Sequence, residues 1–195
     1  MALPTSPSFP PGAKAIARAY ASLEGGLRRV IDRVAAAACP RCASPCCRVH
    51  YCRETARNPW YRFVNETAGA FALPADWETR RDPFGLGARG CGIRAGRYAF
   101  CYSYNCPRLL ATLQAHQRAL FQELSDLALS VNRLPNGCLL HEIRTPKALG
   151  PAELAAIAMG IGEAGQRLAD LENCLSARDP TPAPATRQAH PKGTS

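Results

Sequence analysis

Cys39-Pro40-Arg41-Cys42-Ala43-Ser44-Pro45-Cys46-Cys47 places four cysteines within nine residues, and Cys52 follows closely. Cys91, Cys101 and Cys106 answer it downstream, so eight of the ten cysteines lie between positions 39 and 106. No apolar pattern in the chain is as concentrated. Cys39-x-x-Cys42 is a chelating unit, because two intervening residues let both sulfurs reach one ion across a tight turn. The side chains of adjacent residues such as Cys46 and Cys47 diverge. That pair suits two neighbouring ions, or one ligand beside a free or bridging thiolate. Cys101 and Cys106, with four residues between them, form a second chelating pair, and Cys91 lies ten positions before Cys101. Seven or eight thiolates fit two four-thiolate zinc sites, one polynuclear iron or iron–sulfur centre, or one four-thiolate site with thiols left over. Free thiols or a redox disulfide pair are the alternative to ligation.

Cysteine chemistry depends on compartment. Met1 to Gly12 is rich in Pro and Ser and lacks a basic stretch followed by an apolar one, which argues against export. No window of about 18 uninterrupted apolar residues suggests a membrane span. The expectation is a cytoplasmic chain with no membrane partner, where clustered cysteines hold metal more often than they form structural bridges. The formal charge is +9, and all but three of the 24 basic residues are Arg. Residues 39–108 hold eleven Arg against five acids. Arginines around thiolates would offset the net negative charge of a four-thiolate zinc centre. A nucleic-acid patch, or a high-GC codon bias towards Arg, would give the same composition.

The flanks read as helices. Residues 1–12 are expected to be a flexible leader, 13–178 one helical domain carrying the cysteine module at 39–106, and 179–195 a disordered tail. Ile16, Tyr20, Leu23, Leu27, Val30, Ile31 and Val34 keep helical spacing over 13–38, with a bend expected at Gly25-Gly26 and a stop at Pro40. After Cys52 the chain reads as irregular until Pro59 opens a short helix, Trp60 to Ala68, which Gly69 ends. Residues 72–90 read as loop. Trp60, Tyr61, Phe63, Phe71, Trp77 and Phe84 read as one small aromatic core over the metal region. Residues 107–132 predict the clearest helix, with Gln117 interrupting its apolar stripe. Pro135-Asn136-Gly137 predicts a turn, Cys138 to Ile143 a short strand or extended segment, and Pro151 to about Ala177 a last helix. The fold class expected is mainly α: a small helical bundle flanking an irregular, metal-stapled, cysteine-rich region.

The order Cys39-x-x-Cys42-x-x-x-Cys46-Cys47, then Cys91-Gly92-Ile93, Arg97, Cys101 and Cys106, resembles the YkgJ-type CxxCxxCC cysteine-cluster family, described as a zinc- or iron-chelating domain. Arg94 and Tyr98 stand where that family usually has Tyr and Pro, and three residues rather than two precede Cys46-Cys47. The resemblance spans residues 39–106 and implies metal binding by Cys39, Cys42, Cys46, Cys47, Cys91, Cys101 and Cys106, in a chain whose cellular role it leaves open. Cys52 matches no family position and is the eighth ligand candidate. His50 beside the first group is an alternative ligand, although solvent exposure fits it better. Arg97, between two candidate ligands, reads either as a donor to sulfur or as a surface residue. Cys138 and Cys174 read as buried small hydrophobes. No HExxH, Walker A or GxSxG motif occurs. Zinc or iron, the latter as single ions or as iron–sulfur, is the expected cofactor. A redox enzyme or oxidase using such a centre, and a zinc-supported nucleic-acid binder, are the two other functions in view. No partner protein is indicated.

Overall fold

A computed structural model of the chain describes residues 8–35, 49–85, 92–103 and 106–178. Helix α1, Ala13–Ala35, turns Ala13, Ala17, Tyr20, Leu23, Leu27 and Val30 inward at helical spacing. It runs through Gly25-Gly26 without a break. A Cβ on Gly26 would lie 2.5 Å from Cδ2 of Leu168. The glycine thus admits a helix packed against α1, instead of bending α1 as the sequence suggested.

Helix α2, Val49–Arg57, occupies ground expected to be irregular. Its inward residues, Cys52, Thr55 and Ala56, make only one turn of apolar stripe, which is too short to register as a period. Asn58 ends α2 and starts α3, Pro59–Ala68. Pro59 bars the helical region to Asn58, which adopts φ −69°, ψ 124°. Its Oδ1 accepts the Tyr61 N–H at 3.1 Å, while its Nδ2 donates to the carbonyls of Leu140 and Ile143 at 2.9 and 3.2 Å. Gly69 closes α3 in the left-handed conformation at φ 58°, as its place in the sequence predicted.

The expected helix over 107–132 is two. Helix α4, Phe100–Ser103, precedes them; α5 is Pro107–Thr112 and α6 is Ala115–Val131. Between α5 and α6, Leu113 is extended and buried, and Gln114 caps α6 reciprocally with Gln117. The residue that interrupts the apolar stripe is therefore a capping residue. Pro135–Gly137 forms the expected turn, closed by an isolated bridge between Arg133 and Leu139. Leu140–Glu142 is a short 3-10 turn, where an extended segment was expected. Helix α7, Pro151–Arg178, buries Leu154, Ile157, Ile161, Ala164 and Leu168.

Helices α1, α3, α4, α6 and α7 share one core, and no strand forms among the described residues. The aromatic residues do not form one cluster. Trp60 and Tyr61 belong to the main core, whereas Phe71, Trp77 and Phe84 surround Cys52, Ala56 and Ile93 in a second one. Part of the expected leader is also packed: Phe9 stacks on Phe63 at 4.3 Å and meets Trp60 edge-on at 6.0 Å. Residues 1–7 and the expected tail, 179–195, lie outside the described residues. No described helix is long and apolar enough to cross a membrane.

Candidate metal centre

Five of the eight candidate ligands, Cys39, Cys42, Cys46, Cys47 and Cys91, lie outside the described residues. Of the others, Cys101 is exposed on α4, and Cys106 is half-buried at the N-cap of α5. Cys52 is buried on α2 with Ala56, Phe84 and Ile93, the surroundings of a core side chain. Among the described residues no three His, Cys, Asp or Glu side chains are grouped to hold an ion. The metal-stapled region expected from the sequence is therefore not seen in them. Cys138 and Cys174 are exposed, contrary to expectation. His50 is exposed, with its ring 4.0 Å from that of Tyr51.

What the described residues do fix is where the cysteine-bearing segments begin and end. Ile31, near the end of α1, packs into the cluster of Cys106, Leu109, Leu113 and Phe121. Val49, which resumes the chain, packs on the Phe84–Ile93 cluster. Tyr51 lies 5.3 Å from Phe100, the neighbour of Cys101. The Gly92 N–H donates to the Phe84 carbonyl, so residues 85 and 92 stand together. The ends of 36–48 are thus tied, through Ile31 and Tyr51, to the packing around Cys106 and Cys101, and those of 86–91 to the cluster of Cys52, Phe84 and Ile93.

Beneath this region lies a buried polar group that the motif reading missed. Glu24 is 2 % exposed on the inward face of α1, one turn from Tyr20. Its two oxygens accept different backbone donors, Oε2 from Gly96 at 2.6 Å and Oε1 from Arg97 at 2.8 Å. Burial pushes its carboxyl up from 4.5 to about 7, against the opposing pull of those N–H groups and the Arg97 charge. The Tyr102 hydroxyl is buried beside Glu24, and burial pushes it well above its ordinary value. Arg97 is buried, not the surface residue that was one of its two readings; its Nε donates to the Ile93 carbonyl at 2.7 Å. The sequence did hold a signal for Glu24, as a lone acid on the apolar stripe Tyr20-Leu23-Leu27.

A second polar knot lies deeper. Asn132 Oδ1 accepts both the Tyr20 hydroxyl at 2.9 Å and the Tyr61 hydroxyl at 2.7 Å, and its Nδ2 donates to the Ala128 carbonyl at 2.6 Å. Burial raises both tyrosines well above 10. They serve as hydrogen-bond donors in the core. On the outer side, Tyr98 meets Tyr61 and His141 edge-on at 6.2 and 4.6 Å, and desolvation lowers His141 from its ordinary value.

Comparison of the chain with models of protein families, with curated proteins and with solved structures finds no match. The cysteine-cluster resemblance rests on the residues quoted for it.

Proposed function

We propose that the chain is a metal-binding cysteine-cluster protein in which thiolates from 39–47 and from 91–106 share zinc or iron. The observation that carries this reading is the placing of Ile31, eight residues before Cys39, in the same apolar cluster as Cys106. Support comes also from Tyr51, four residues after Cys47, packed on Phe100 next to Cys101. Because α1 runs to Ala35 and α2 begins at Val49, Cys39 lies at most about 20 Å from Ile31 and Cys47 at most about 10 Å from Tyr51, which keeps the first cysteine group within reach of the second. The arginine excess of 39–108 would offset the negative charge of a four-thiolate centre. Zinc held by four thiolates would contribute on the order of 10 kcal/mol to folding, enough to order a region poor in regular structure.

Metal analysis by mass spectrometry on protein purified without air tests the reading. Stoichiometric zinc or iron is expected, and Cys42→Ser should lower both the metal content and the melting temperature. A brown sample would select an iron–sulfur centre and a colourless one zinc. Wild-type protein without bound metal, or a Cys42→Ser variant with unchanged stoichiometry, would refute it.

A further inference from the structure

We infer that the joint between α2 and α3 is a binding site for one ordered water molecule, held in the cavity beside Thr55, Arg62 and Asn65, where it accepts from two of these side chains and donates to the third. The inference is independent of the metal reading.

Thr55 and Ala56 of α2, Arg62 and Asn65 of α3, and Ile93 and Gly96 line a cavity of about 10 Å³. That is the room one water needs. Three polar groups border it. Asn65 is 4 % exposed, and its Nδ2 donates to the Phe71 carbonyl at 2.7 Å. A carbonyl only accepts, so this bond fixes which way round the amide lies. Its Oδ1 is then a buried acceptor that no donor among the described residues reaches. Arg62 Nε is also buried without a hydrogen bond; Glu66 lies 3.5 Å from it as an ion-pair partner only. Thr55, buried on α2, accepts the Tyr98 N–H through Oγ1 at 3.3 Å, which leaves its hydroxyl proton to donate.

These groups select the ligand. Buried polar atoms in folded proteins are partnered, by ordered water where the protein offers nothing. The occupant must donate to Asn65 Oδ1 and accept from Arg62 Nε–H and the Thr55 hydroxyl. An anion fails the first requirement. A metal ion or an ammonium group fails the second. Water meets both, and three protein partners are the usual number for a buried water. A larger hydroxyl compound exceeds the cavity. With water in place, donors and acceptors run in one direction: Tyr98 N–H to Thr55, Thr55 to water, water to Asn65, and Asn65 to the Phe71 carbonyl. Such a chain strengthens each of its bonds. It would tie the backbone at 98 to the backbone at 71 across both helices.

A crystal structure of the full-length chain that resolves ordered waters tests this. Density for one water is expected within about 3 Å of Asn65 Oδ1 and of Arg62 Nε or Thr55 Oγ1. A dry cavity, or Asn65 Oδ1 turned onto a donor of the protein, overturns the inference. Nuclear magnetic resonance in solution needs no crystal. The wild-type chain should show an Overhauser effect from a long-lived water to the side-chain amide protons of Asn65, and its absence overturns the inference. Thr55→Val removes one partner at nearly constant shape. With helical circular dichroism unchanged, the signal should be lost or reduced, and an undiminished signal overturns the bridge. Should that variant fail to fold, the two wild-type measurements still decide.

Discussion

Replacing Gly96 by Ala should be among the most damaging single-methyl changes this chain can suffer. The added Cβ would meet the backbone of α3 at Tyr61 and Asn65, which cannot move aside as a side chain would. The left-handed conformation costs an alanine about 1–2 kcal/mol. Forcing the turn off α3 adds about 1–3 kcal/mol of overpacking. Pulling the Gly96 N–H from a buried carboxylate adds about 1–3 kcal/mol more. A total near 5 kcal/mol is a large part of a stability of order 5–15 kcal/mol, and at about 2–4 °C per kcal/mol it lowers the melting temperature by some 10–20 °C. Gly69→Ala is the control. Its φ is 58°, but nothing lies within 4 Å of the added atom, so only the conformational cost of about 1–2 kcal/mol applies. Both variants should be unfolded in urea with chelator present, followed by circular dichroism, and compared at unchanged slope. If Gly96→Ala falls within about 1 kcal/mol of Gly69→Ala, the turn is not seated against α3 and the reasoning is wrong.

Asn132→Ala should cost about 3 kcal/mol, because it leaves the buried hydroxyls of Tyr20 and Tyr61 without their acceptor; Tyr20→Phe made on top of it should then be close to neutral, and a full additional loss in urea unfolding would refute the shared acceptor. Glu24 gives metal-free protein a defined pH dependence. Its folded value, about 7, exceeds the ordinary 4.5, so the stabilisation from its proton is complete below pH 4.5 and lost as pH rises through 7. The urea midpoint of wild type relative to Glu24→Gln should fall over that window by the equivalent of about 3 kcal/mol, and a flat difference would count against the burial of the acid. Phe9→Ala should lower stability by about 1–2 kcal/mol through loss of its stack on Phe63 and edge contact with Trp60, and an unchanged melting temperature would show the N-terminal contact to be idle.

The helices were legible where apolar spacing ran long or where punctuation was chemical. Tyr20 to Val30 marked α1, Leu154 to Leu168 marked α7, and Pro59 and Gly69 bounded α3 to within one residue. Helix α2 was not legible, since nine residues with one buried turn carry too little period. The break between α5 and α6 was hidden because Leu113 continues the apolar stripe while its backbone is extended. Gly26 was misread for a related reason: a glycine that weakens an isolated helix is here a seat for Leu168, and no local pattern reveals a neighbour 142 residues away. The candidate site was legible as a set of cysteines and illegible as a geometry, because spacing names ligands without saying what orients them. Glu24, 67 residues before Cys91, carries no motif.

The buried polar residues explain how so much irregular backbone is held without a sheet. Glu24 receives the N–H groups of Gly96 and Arg97, and Thr55 that of Tyr98. Asn65 donates to the Phe71 carbonyl at 2.7 Å, and Asn58 to Leu140 and Ile143. Each of the four acts from the inward side of α1, α2 or α3, or from the cap between the last two, upon backbone that has no ladder of its own. Buried N–H and C=O groups must be partnered, and a loop-rich module has few partners to offer itself. The helices supply them through side chains, and the positions of those side chains fix where the loops run. On this reasoning the helices, rather than an ion, hold the Gly96–Arg97 turn. If metal alone ordered the loops, the amides of Gly96 and Arg97 would exchange freely in metal-free protein; if the helices order them, those amides are already protected and zinc only deepens the protection.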